Sequence, residues 1–112
     1  MSQDPKAILA MSDLQLVQLG VAAFKKRTPT QDLEALLRAY RELPASSQMG
    51  ARAFYVYVMA NLSRGSRSVD IALIAKVTDY IDGVIRLRQG DAKIRELLQE
   101  FMEAMANPPA QK

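Results

Sequence analysis

Apolar residues recur three and four positions apart along almost the whole chain, and that rhythm admits few folds. A helix turns once in about 3.6 residues, so each such run gathers its apolar side chains on one face that has to be covered by another helix. The runs are Leu14, Val17, Val21, Phe24; Leu33, Leu36, Leu37, Tyr40, Leu43; Phe54, Val58, Leu62 beside Ala53, Val56, Tyr57, Ala60; Ile74, Val77, Ile81, Val84, Leu87; and Ile94, Leu97, Leu98, Phe101, Met102, Met105. They predict an all-α protein, a single compact bundle of about five helices.

Start and stop signals divide the chain accordingly. Ser12-Asp-Leu-Gln15 has capping-box spacing, and Lys25, Lys26 and Arg27 close the first helix, where cations oppose its partial negative charge. Thr28-Pro-Thr-Gln31 reads as the next start, with threonine as cap and proline at the first helical position, and Pro44 ends that helix after about Glu42. The third helix is expected from Ser46 or Ser47 to Ser63. Phe54-Tyr-Val-Tyr-Val-Met59 alone has strand-like composition, but its flanks continue the helical rotation, and apolar residues around most of the circumference make this the central helix. Arg64-Gly-Ser-Arg67 is the clearest loop, Ser66 or Ser68 suits the cap of a fourth helix reaching Gly90, and Asp91 caps the fifth. Residues 1–11 form an N-terminal segment in which Lys6 to Met11 adds a short helical turn, residues 12–106 form the bundle, and Asn107-Pro-Pro-Ala-Gln-Lys112 is a disordered tail. Phe54, Val77, Ile81, Leu97 and Phe101 are the expected core.

Composition narrows function mainly by exclusion. With 112 residues, 49% of them hydrophobic, the chain fills one core. It has neither histidine nor cysteine, which removes imidazole acid–base chemistry, thiol nucleophiles, disulfides and thiolate metal sites. Asp79 with Asp82 and Glu96 with Glu100 lie one helical turn apart but read as solvated faces without a third ligand. No phosphate-cradling glycine loop is present. No catalytic residue, metal or cofactor is expected. A leader segment and a long apolar run are both missing, so the expectation is a soluble, cytoplasmic protein that does not enter a membrane.

The charges are unevenly placed. Net charge is +3, yet residues 25–67 carry eight cations (Lys25, Lys26, Arg27, Arg38, Arg41, Arg52, Arg64, Arg67) against Asp32, Glu34 and Glu42. In an up-down bundle the ends of the first and third helices share one side, which would join Lys25, Lys26 and Arg27 to Arg64 and Arg67 in a basic edge, extended by Arg38, Arg41 and Arg52 along a phosphate backbone. The same residues also serve helix dipoles and surface solubility. Of Tyr55 and Tyr57, on different sides of one helix, one is expected in the core and the other near the surface, where it could stack on a base. Arg86-Leu-Arg88 after Ile74-Ala-Lys-Val-Thr has some of the character of a helix-turn-helix, but the apolar stripe crosses Asp79 to Gly83 unbroken and predicts one continuous helix. Met49, Met59, Met102 and Met105 are adaptable side chains suited to a partner surface, so self-association or membership of a larger assembly is expected.

Three segments carry a family resemblance: Thr28-Pro-Thr-Gln-Asp-Leu33 opening a short helix, Leu43-Pro-Ala-Ser-Ser-Gln-Met-Gly-Ala-Arg-Ala-Phe54 leading into the central helix, and Glu96-Leu-Leu-Gln-Glu-Phe-Met-Glu-Ala-Met105 near the end. With them the chain resembles the small all-helical subunits of CRISPR effector complexes, which form an inner filament beside guide and target strands. The resemblance implies a non-catalytic subunit of an antiviral assembly that stacks on its own copies and contacts single-stranded RNA or DNA backbone through the basic residues named above. The other reading is a protein-interaction bundle, such as an adaptor, secretion chaperone or assembly factor, with no nucleic-acid role.

Overall fold

Serine, aspartate and glycine set the helix boundaries. In the computed structural model, which describes residues 4–63 and 70–106, they delimit α1 (Pro5–Leu9), α2 (Asp13–Lys26), α3 (Leu33–Arg41), α4 (Ala51–Leu62), α5 (Ile71–Ile85) and α6 (Ala92–Ala106). Five of these exceed seven residues, and the described residues contain no strand. The expected all-α architecture is the observed one. The Ser12–Gln15 capping box forms in full, with Gln15 N donating to Ser12 Oγ and Ser12 N donating to Gln15 Oε1, both at 3.2 Å.

Three boundaries differ from the expected ones. After Arg27, which closes α2 in the left-handed conformation (φ 58°), the Thr28 hydroxyl donates back to the Lys26 carbonyl instead of capping forward. Helix α3 therefore starts later, with Asp32 accepting from Ala35 N at 3.1 Å. The third long helix is split: Ala45–Ser47 form a 3-10 turn, Gly50 takes φ 68°, which favours glycine, and α4 begins at Ala51. Gln48 in this turn donates its amide to the Tyr40 and Leu43 carbonyls, satisfying the end of α3. Helix α5 is capped by Asp70 and stops at Ile85, short of Gly90, because Arg88 adopts φ 56° and Gln89 N closes onto the Gly83 carbonyl. The Arg64–Arg67 loop, the Ser66 and Ser68 caps and the tail lie outside the described residues.

Helix α4 is the central helix, with eight of its twelve residues buried and α2, α3 and α5 packed around it. Its Phe54 ring crosses α2 at Gly20, where a Cβ would lie 2.9 Å from the ring, so α2 and α4 approach as closely as they do because that position has no side chain. Phe101 of α6 receives Phe54 and Phe24 edge-on, each at 4.9 Å. Helix α1 adds Ile8 and Leu9 to the same core. Phe54, Val77 and Phe101 are buried as expected, whereas Ile81 and Leu97 are only half-buried.

Candidate functional site

The basic residues are the first candidate, and the fold divides them. Phe24 and Arg27 at the end of α2 line a hollow with Asn61 and Leu62 at the end of α4, so those two helix ends do meet on one side. Arg38 and Arg41 lie elsewhere. They belong to the part of α3 that packs beside Gln48, before the start of α4. From there to Asn61 is the length of α4, about 18 Å at 1.5 Å per residue. Arg64 and Arg67 lie outside the described residues.

Several of the cations are also occupied. Lys25 pairs with Glu100 at 2.6 Å, Arg27 lies over the Phe24 ring at 4.6 Å, and Arg52 donates its Nε to the Leu9 carbonyl at 2.6 Å, tying α4 to α1. Arg52 thus has a structural task as well. Lys26, Arg38 and Arg41 are exposed.

The second candidate is a groove of about 770 Å³ between α5 and α6, floored by Tyr57 of α4 and Phe101. Its α5 wall is Ile74, Val77, Thr78, Ile81 and Ile85, with Asp82 and Arg86, and its α6 wall is Gln99, Met102, Glu103 and Met105. The groove follows from α5 carrying two apolar stripes. Leu73, Val77, Tyr80 and Val84 turn toward the core, while Ile71, Ile74, Thr78, Ile81 and Ile85, spaced 3, 4, 3 and 4, form a second stripe in which Ile71, Ile74 and Thr78 are exposed and Ile81 and Ile85 are half-buried at the edge of the core. Ile71 is 85% exposed, Ile74 44%, Met102 43% and Met105 45%. The expected stripe Ile74, Val77, Ile81, Val84, Leu87 is thereby corrected: it mixes the two faces, and Leu87 is exposed. Met59, expected among the adaptable surface methionines, is fully buried, while Met49 is exposed. Tyr55 is the core tyrosine and Tyr57 the half-buried one.

The polar chemistry around these features is modest. Arg86 grips Asp82 through two hydrogen bonds, Nε to Oδ1 at 2.7 Å and Nη2 to Oδ2 at 2.9 Å, which hold the Asp82 carboxyl below its ordinary range. Burial, then the Asp13 charge, pushes the Tyr80 hydroxyl from 10.0 up to about 12, and that hydroxyl has no hydrogen-bond partner among the described residues. Burial also raises Tyr40 and Tyr55. Among the described residues no three acidic side chains gather as metal ligands, and no helix is long and apolar enough to cross a membrane.

Sequence reasoning missed Thr78, Ile85, Gln99 and Glu103 as groove residues. The available signal was the doubled stripe of α5, which exceeds what one buried face requires. No protein-family model, curated protein or solved structure matches the chain.

Proposed function

We propose that this chain is a non-catalytic, cytoplasmic protein-binding module whose α5–α6 groove receives a helix of a protein partner. The observation that carries this reading is the groove wall of Ile74, Thr78, Ile81 and Ile85 beside Met102 and Met105, an apolar trough with a polar rim and the 3–4 spacing that accepts helical knobs. Methionine walls suit such a role because an unbranched thioether adapts to the shape of its partner.

The nucleic-acid reading implied by the CRISPR small-subunit resemblance is the competing one. It is favoured by the exposed Lys26, Arg38 and Arg41 and by the meeting of the α2 and α4 ends. The two separate by mutation of the protein isolated with its natural partners. Met102→Glu is expected to release them, whereas the triple exchange of Lys25, Lys26 and Arg27 for glutamate leaves them bound. The reverse pattern, with salt-sensitive binding of single-stranded RNA or DNA lost in the triple variant, would replace the protein-binding reading.

A further inference from the structure

The groove carries charge of one sign. Its polar lip on α5 is Asp82 and Arg86, which neutralise each other through the two hydrogen bonds between them. Its lip on α6 is Gln99 and Glu103, and Glu103 forms no ion pair among the described residues. Glu96, three positions before Gln99 on the same stripe of α6, is exposed as well. The uncompensated charge along the trough is therefore negative. That sign is local: the chain as a whole carries +3, yet residues 70–106 hold seven acidic side chains against five basic ones.

Helix α6 already shows, along the side that α2 covers, what such a surface accepts. There Phe24 meets Phe101 edge-on, and the next residue, Lys25, pairs with Glu100 at 2.6 Å. An apolar side chain fills the contact and a lysine beside it reaches a carboxylate. Toward the groove, Met102 and Glu103 present the same combination of apolar wall and carboxylate.

From this charge complementarity we infer that the helix received by the groove is basic and amphipathic, with apolar residues three and four apart against Ile74, Ile81, Ile85 and Met102 and with lysine or arginine on the flank facing Glu103. The inference rests on the protein-binding reading above and supplies the chemistry of its partner. Ile74 and Ile85 lie about 16 Å apart along α5, room for about three turns of the incoming helix. A second copy of this groove does not fit that description, because it is concave and of the same sign.

Two labelled synthetic peptides, added to the full chain, test the inference: an amphipathic helix with leucines three and four apart and lysines on its flanks, and the same helix with glutamates for the lysines. Fluorescence anisotropy is expected to show the lysine peptide binding about tenfold more tightly, with the preference fading as salt rises. Glu103→Lys is expected to remove that preference. The uncharged double change Ile74→Asn with Met102→Gln is expected to lose both peptides, with helical circular dichroism checking the fold of each variant. Equal binding of the two peptides, or a preference indifferent to Glu103→Lys, would overturn the inference but leave the protein-binding reading standing if the double change still abolishes binding. Lysine-peptide binding that survives the double change lies elsewhere on the surface and overturns both, as does failure of either peptide to bind. Self-association that displaces the peptide would give the groove to a second copy and overturn the inference.

Discussion

Helices α4 and α5 are built from similarly apolar sequence and meet different fates. Eight of twelve residues are buried in α4, but only four of fifteen in α5. The difference is in neighbours. Helix α4 has α2, α3 and α5 around it, whereas α5 packs on α4 and α6 and leaves Ile74, Thr78, Ile81 and Ile85 to line the groove. The apolar content of α4 is consumed by the fold, and the surplus on α5 is available for association.

Truncation in α4 is the hardest way to break this contrast. Phe54→Ala removes the ring that contacts Gly20 and Phe101 and is expected to cost about 3–5 kcal/mol in urea unfolding. A cost below 1 kcal/mol, the scale of a surface change, would deny α4 its central place. Gly20→Val tests the same contact from α2: its Cβ would begin 2.9 Å from Phe54, and overpacking is expected to cost about 1–3 kcal/mol.

The buried side of α5 is sensed by pH. Because the folded Tyr80 holds its proton up to about 12, the unfolded chain loses it first, so its contribution is intact below pH 10.0 and is lost as pH rises from there toward 12. Tyr40 and Tyr55 act in the same direction. Tyr80→Phe should flatten this alkaline loss in part, at little cost near neutrality since the hydroxyl has no partner among the described residues to forfeit. The smallest effect belongs to the outer side of α5. Ile71→Ser, measured on the monomer at low concentration, is expected to change unfolding free energy by less than about 0.5 kcal/mol, and a larger loss would mean that Ile71 is covered within one chain.

What the sequence disclosed depended on range. The Ser12–Gln15 box and the Asp91 cap act within one turn and were legible, since local chemistry decides them. Thr28-Pro-Thr-Gln31 has equally good local chemistry for a helix start, yet Thr28 turns back to Lys26 and Gln31 is buried, so tertiary packing overrode it. The basic edge was legible as composition but not as geometry. Pairings such as Lys25 with Glu100 and Arg52 with the Leu9 carbonyl join residues far apart in sequence, and nothing local announces them. The groove lay between these cases: the isoleucines of α5 were visible, but which of its two stripes would find a neighbour was decided by α4 and α6.

Phe101 belongs to both regions at once, edge-on to Phe54 and Phe24 within the core and, with Tyr57, part of the groove floor. Filling the groove therefore loads the same ring that locks α6 to α2 and α4. By mass action an occupant that binds only the folded chain raises the melting temperature in proportion to the logarithm of its excess over the dissociation constant. Thermal stability of this small protein is then a gauge of its company.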